Sequence, residues 1–176
     1  MAMVKKTPFI FQIVGYQNSG KTTLIEQVIR RLKENGKRTV VIKHHGHGGM
    51  PSLDEDKDSF RHVKAGAAAS LIEGDGRLIL HAEQQDWSLD EKIAMATCLN
   101  PDLILLEGHK YEEFPKAVLI RKDDDLQLLH DLSNIKIQFY WDKKLQMNGF
   151  YIKDQAGMEC LVSYLLNEIE GGKTGL

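Results

Sequence analysis

The chain has 176 residues, 42% of them hydrophobic and 27% charged, which is the balance of an ordinary globular protein long enough for one sizeable core. A formal net charge of −2 gives no general attraction to a polyanion, so a local basic patch aside, nucleic acid is not implied as a partner. No run approaches the roughly 20 apolar residues needed to span a bilayer, and the apolar stretch after Lys5 and Lys6 is too short for a signal-peptide core, so the chain reads as cytoplasmic. Cys98 and Cys160 stand far apart in no metal or redox spacing and read as reduced, buried thiols.

In chain order, Phe9–Val14 (FIFQIV) is an apolar run of strand length ended by Gly15. Lys21–Asn35 sets Leu24, Ile25, Val28, Ile29 and Leu32 on one helical face, with Gly36 as a stop. Thr39–His44 (TVVIKH) is β-branched and strand-like; a polar, glycine-rich loop and a helix from Lys57 to Ala69 follow. SLIEGDGRLILHA reads as two strands around the Gly74-Asp75-Gly76 turn. Ser88 and Glu91 have capping-box spacing and open a helix through Leu99. Asp102–Gly108 (DLILLEG) is a continuous apolar run closed by a carboxylate and a glycine, suited to a strand buried on both faces, with Asp102 on the surface at its start. AVLIR and IKIQFYW are further strands, and Asp123-Asp124-Asp125 between them is a helix start or surface turn. The last helix, Asp154–Glu170, aligns Met158, Leu161, Val162, Leu165 and Ile169. Alternating strands and helices predict an α/β fold of three layers, a mostly parallel sheet flanked by helices, with one antiparallel pair. The motif Gly15-x-x-x-x-Gly20-Lys21-Thr22 between the first strand and helix makes it P-loop NTPase-like. No repeat or linker divides the chain, so residues 1–170 read as one nucleotide-binding domain and 171–176 as a flexible tail. The strand order is not readable from the sequence.

Gly15-x-x-x-x-Gly20-Lys21-Thr22 matches the Walker A pattern in full, and its context, strand before and helix after, is the one the pattern needs. Glycines let successive backbone N–H groups turn toward phosphate oxygens, and the helix N-terminus adds its positive end. Gly15, Asn18, Ser19, Gly20, Lys21, Thr22 and Thr23 are the candidate nucleotide contacts, with Lys21 on the β- and γ-phosphates and the Thr22 hydroxyl on Mg²⁺. Such a site needs a carboxylate at a neighbouring strand end. Glu107 meets that description, since a bare carboxylate on so apolar a segment is otherwise costly to bury. Asp54, Asp56 and Asp58 follow the second strand; Asp58 reads either as a metal contact through water or as a helix N-cap before Ser59.

Three blocks, GYQNSGKTT, IKHHGHGGMPSLDEDKDSFRHVKAGAA and DLILLEGHKYEEFPKAVLIR, together resemble the molybdopterin-guanine dinucleotide biosynthesis adapter family, over roughly residues 8 to 121. The resemblance implies a P-loop GTP-binding homodimer that assists a molybdopterin guanylyltransferase joining GMP to molybdopterin. It implies GTP and Mg²⁺ as ligands, Lys21 and Thr22 as phosphate and Mg²⁺ contacts, and places Asp58-Ser59 and Glu107-Gly108 on two family motifs. Asp56 stands where the family usually has glycine.

No Asn-Lys-x-Asp motif is present, and Asp142, at the end of IKIQFYW, is the candidate for accepting guanine N1–H and N2–H₂, against an ordinary turn residue beside Lys143 and Lys144. Lys43, His44, His47, Ser59 and Arg61 are candidates for a polar pocket facing substrate or partner; the histidines lack the companion spacing of a zinc site. Glu107 is also a candidate for positioning water, which allows slow hydrolysis. Two other functions compete with the adapter: a small-molecule kinase, weakened by the dispersed arginines, and a metallochaperone-type GTPase, which offers only the histidine loop as ligands. Leu78 and Leu80 suit a contact with a second copy or simple core packing.

Overall fold

The computed structural model describes residues 7–44, 58–145 and 148–171. Residue contacts divide the chain into two compact units, Met1–His44 with Lys92–Leu176, and His45–Glu91. The elements are β1 (Phe9–Gly15), α1 (Lys21–Glu34), β2 (Thr39–Lys43), α2 (Asp58–Lys64), β3 (Ala69–Gly74), β4 (Arg77–Ala82), α3 (Leu89–Thr97), β5 (Leu103–Glu107) and β6 (Lys116–Ile120), then a 3₁₀ turn (Asp123–Leu126) leading into α4 (Gln127–Asp131), β7 (Ile135–Tyr140), β8 (Phe150–Tyr151) and α5 (Gln155–Ile169).

In the first unit six strands form one sheet in the order β2-β5-β1-β6-β7-β8, and every neighbouring pair is parallel. The chain leaves β1 toward β2 on one side and later continues through β6 and β7 on the other, so β1 stands at the point where the strand order reverses. In open parallel sheets that is where ligands bind, at the carboxyl ends of the strands. Alternation along β1 separates two cores. Phe11 and Ile13 face the larger one, which α1 closes with Leu24, Val28 and Leu32 and α5 closes with Leu161 and Leu165. Val14 faces the smaller one with Val118, Ile120 and Leu128. All five residues of β5 are buried, as a strand covered on both faces requires. The α5 stripe read from the sequence, Met158, Leu161, Val162, Leu165 and Ile169, is the buried stripe of the helix.

Helix α1 ends where the sequence stops it. Gly36 has φ 71°, and the N–H groups of Gly36 and Lys37 return to the carbonyls of Lys33 and Leu32, satisfying the last turn in a Schellman arrangement.

The second unit holds α2 and the antiparallel pair β3–β4. Asp75 and Gly76 form its two-residue turn at φ 50° and 75°, the left-handed pair that a tight hairpin demands. The capping box ahead of α3 is present: Ser88 N–H donates to Glu91 Oε2 at 2.8 Å and Glu91 N–H to Ser88 Oγ at 3.2 Å. Leu78 and Leu80 are 54% and 48% exposed, so core packing does not account for them.

Other local expectations are corrected. The second helix stops at Lys64 rather than Ala69, because Gly66 at φ 109° turns the chain out and residues from Ala69 join the hairpin. Both cysteines are exposed, not buried; Cys160 falls off the apolar stripe of α5. Of the two readings of Asp123-Asp124-Asp125, the helix start holds, since the 3₁₀ turn opens at Asp123, but Asp125 is 1% exposed and its carboxylate takes the Arg121 N–H at 2.9 Å. Asp102, expected on the surface, is half-buried and takes the Arg38 N–H at 2.9 Å.

Candidate functional site

The site grows out of the strand order. Because β5 lies between β1 and β2, the ends of three strands stand side by side: Ile13 pairs with Glu107 across β1–β5, and Lys43 pairs with Glu107 across β2–β5. The loop after β1 then delivers Thr22 to the same place. Thr22 Oγ1 donates to Glu107 Oε1 at 2.8 Å, although the two residues are 85 positions apart in sequence. Lys43 Nζ stands 3.2 Å from the same carboxylate oxygen and 3.5 Å from Thr22 Oγ1. A hydroxyl and a buried carboxylate in contact are the hard oxygen donors that Mg²⁺ prefers, so this pair fits the ion. Thr22 and Glu107 are the residues that would hold it, partly through water, and the ion would supply charge neutralisation at the β- and γ-phosphates. Lys43, a candidate for a polar pocket on the phosphate side, lies against both oxygens.

The loop itself has the geometry its glycines allow. Asn18 and Gly20 have φ 57° and 86°, the latter making the sharp turn into α1. Gly15 is crowded too: a Cβ there would come 2.6 Å from Ser19 Oγ and 3.0 Å from the Leu119 carbonyl of β6. The Lys21 ammonium folds back over the loop and donates to the carbonyls of Gly15 at 3.1 Å and Tyr16 at 2.7 Å. Burial, reinforced by the nearby cations of Lys110, Lys43 and Arg121 and opposed by Glu107, holds its pKa below the usual lysine value. Several cations thus surround one phosphate loop with one buried carboxylate among them, a balance suited to a polyphosphate anion.

Sequence reasoning missed three residues that shape this site, Trp141, Gln12 and Lys116, while Lys110, just after Glu107-Gly108, reads from the sequence either as a substrate or partner contact or as exposed loop. Trp141, just past β7, donates its indole N–H to the Ser19 carbonyl at 2.9 Å, and its ring would lie 2.8 Å from a Cβ placed at Gly20. Its signal was its position at a strand end on the loop side of the sheet. Lys110 sets its ammonium 4.4 Å from the centre of the Tyr16 ring, within the phosphate loop. The segment carrying Lys110 is tied down from below by Gln12 and Lys116, both fully buried. Gln12 Nε2 donates to the His109 carbonyl at 2.6 Å, and Lys116 Nζ donates to the carbonyls of Glu112 and Lys110. A lysine and a glutamine inside otherwise apolar strands were the available signal.

Of the remaining candidates, Thr23 lines a cavity of about 350 Å³ beside the loop, with Trp141 on its wall. His44 donates its backbone N–H to the Glu107 carbonyl at 3.2 Å, and its ring centre lies 5.0 Å from that of His109. Asp142 accepts the Lys144 N–H at 2.9 Å and does not line the cavity. Asp58 and Ser59 open α2, and Arg61 lies within it, all in the second unit. His47, Asp54 and Asp56 lie outside the described residues. Among the described residues no three His, Cys, Asp or Glu side chains cluster as a metal-ligand set, and no helix is long and apolar enough to cross a membrane.

Comparison with known proteins adds the family. A model of the molybdopterin guanine dinucleotide synthesis protein B family matches residues 10–138. The probable molybdopterin-guanine dinucleotide biosynthesis adapter protein of Bacillus subtilis is 37% identical over 96% of this chain and 99% of its own length. The adapter protein of Haemophilus influenzae is 38% identical over 63% of this chain and 62% of its own. Among solved structures, the Bacillus subtilis MobB crystal structure superimposes with a TM-score of 0.75 at 35% identity, covering 88% of this chain and 96% of that one. The MobB homolog from Bacillus stearothermophilus gives 0.68 at 32% identity, covering 92% and 97%. With its phosphate loop, its parallel sheet and these relatives, the chain belongs to the molybdopterin guanine dinucleotide synthesis protein B family.

Proposed function

We propose that this chain is a GTP-binding adapter in molybdenum cofactor biosynthesis, assisting a guanylyltransferase that attaches GMP to molybdopterin. The observation that carries the reading is the Thr22–Glu107 contact at the head of a full Walker A loop, in a chain whose relatives are named as adapters of this synthesis. Mg-GTP sits on the loop, with Lys21 released from the loop carbonyls onto the phosphates and Thr22 and Glu107 around the ion. Hydrolysis is slow: Glu107 is the group at hand to position a water, and the nearby cations of Lys43, Lys110 and Arg121 serve binding first. The protein works in the cytoplasm as a homodimer. Leu71, Leu78 and Leu80 share one face of the β3–β4 hairpin and are exposed, which suits contact with a second copy.

The test is a reconstituted synthesis with purified guanylyltransferase, molybdopterin and limiting GTP. Adding this chain is expected to raise the yield of molybdopterin guanine dinucleotide, and adding the Lys21→Ala variant is not. Equal yields with and without the chain contradict the adapter role. Phosphorylation of a small acceptor by the chain alone would favour a kinase.

A further inference from the structure

Beside the phosphate loop lies a cavity of about 350 Å³ whose walls include Gly20, Thr23 and Gln27 of the loop and α1, Trp141, and Lys153 and Asp154 ahead of α5. That volume falls within the range of pockets that enclose small ligands. Gly20 and Thr23 belong at once to the phosphate site and to this wall, so a nucleotide held at the loop carries its sugar and base toward the cavity. Trp141 is fixed there by its N–H bond to the Ser19 carbonyl and offers an aromatic surface to a heterocycle.

The polar groups are the informative ones. Asp154 occupies the N-cap position of α5 with an extended backbone, yet its side chain makes no capping hydrogen bond, and its carboxylate has no partner among the described residues. A carboxylate in the best place to cap a helix that is not used for capping is free to accept from something else. Lys153, adjacent on the same wall, is a donor. Asp142 is differently engaged, closing a turn onto the Lys144 N–H.

We propose that this cavity takes the nucleoside of the bound nucleotide, with the base against the Trp141 indole and its hydrogen-bonding edge read by Asp154 and Lys153, so that Asp154 rather than Asp142 selects guanine. The inference rests on the nucleotide-binding reading above and adds the base site to it. Guanine presents N1–H and N2–H₂ as donors beside the O6 acceptor, which matches a carboxylate next to an ammonium. Adenine turns an N1 lone pair toward the carboxylate and has no O6, so the same pair rejects it.

Substituting Asp154→Asn tests this, because an amide keeps the size and capping ability of the side chain while replacing one acceptor oxygen by a donor. Binding of GTP, xanthosine triphosphate and ATP, each with Mg²⁺, is measured by calorimetry for wild type and variant. The variant is expected to lose about 10- to 100-fold in GTP affinity, the effect of one charge-assisted hydrogen bond, and to gain at least about tenfold for xanthosine triphosphate, whose O2 accepts from the new amide. Unchanged GTP affinity, or an equal loss for all three nucleotides, overturns the assignment of Asp154 and leaves the phosphate loop in place. Failure of the wild type to bind any of the three overturns the phosphate-loop reading as well. The conservative Trp141→Phe variant, read by the same titration, is expected to keep the GTP preference, and its loss there would show that Trp141 rather than Asp154 sets the choice.

Discussion

Gly20→Ala is a direct probe of how the phosphate loop is built. Gly20 has φ 86°, a conformation costing a residue with a Cβ about 1–2 kcal/mol. The new methyl would also stand 2.8 Å from Cζ2 of Trp141 and 3.7 Å from Cε2, so the indole must move. Moving it strains the packing and endangers the 2.9 Å bond from its N–H to the Ser19 carbonyl, a further loss of about 1–2 kcal/mol. The total is about 2–4 kcal/mol, a large share of the roughly 5–15 kcal/mol that stabilises a domain. Urea denaturation of four proteins, wild type, Gly20→Ala, Trp141→Leu and the double variant, separates the two contributions. With the indole gone, only the backbone cost remains, so Gly20→Ala is expected to cost about 1–2 kcal/mol less in the Trp141→Leu background than in wild type. Equal costs in both backgrounds, within about 0.5 kcal/mol, would refute the claim that Trp141 packs the loop into its shape.

Lys43→Met removes the ammonium that lies 3.2 Å from Glu107 and 3.5 Å from Thr22. Lys43 is 56% exposed, so the pair is screened and worth at most about 1 kcal/mol. The variant is therefore expected to bind Mn²⁺, without nucleotide, up to about fivefold more tightly by electron paramagnetic resonance titration, and weaker binding would contradict the placement of the ion between these two oxygens. Lys116 carries a pH signature. Burial holds its folded pKa below the usual 10.5, so the unfolded chain binds more protons in the window between the folded value and 10.5, and native stability rises with pH there. The stability of wild type minus that of Lys116→Met, measured by denaturation at several alkaline pH values, is expected to climb across that window. A flat difference would mean that the ammonium is not desolvated. Glu107→Gln keeps an acceptor for the Thr22 hydroxyl but removes the charge, and the Mg²⁺ concentration needed for half-maximal GTP binding is expected to rise about 10- to 100-fold. An unchanged Mg²⁺ requirement would remove Glu107 from the metal site.

Local signals were legible, and long-range ones were not. The Walker loop, the stops at Gly36, the Asp75-Gly76 turn and the capping box at Ser88 and Glu91 are written in short spans, and each appears in the structure. The helix phase that named Leu161 and Leu165 as buried also left Cys160 off the stripe, so its exposure was readable and was overlooked. Glu107 was suspected from its chemistry, a carboxylate closing an apolar run. Its contact with Thr22, however, depends on β5 inserting between β1 and β2, and strand order arises from tertiary packing that no local window encodes. The contact of Lys43 with Glu107 is hidden for the same reason: only the β2–β5 pairing sets the two opposite each other. Asp125 was hidden within a run of aspartates, where composition says surface but one member turns inward to hold the Arg121 N–H. Asp154 and Trp141 share a cavity wall through the packing of α5 beside α1, a juxtaposition of residues that no spacing announces.

The most direct measurement is calorimetric titration of the purified chain with Mg-GTP and Mg-ATP side by side, with Lys21→Ala as the control. Saturable binding with a clear preference for GTP is expected, and none by the Lys21→Ala variant, whose circular dichroism is expected to match wild type. Equal or tighter binding of ATP, or full GTP affinity without Lys21, would contradict the reading of a GTP site on the phosphate loop.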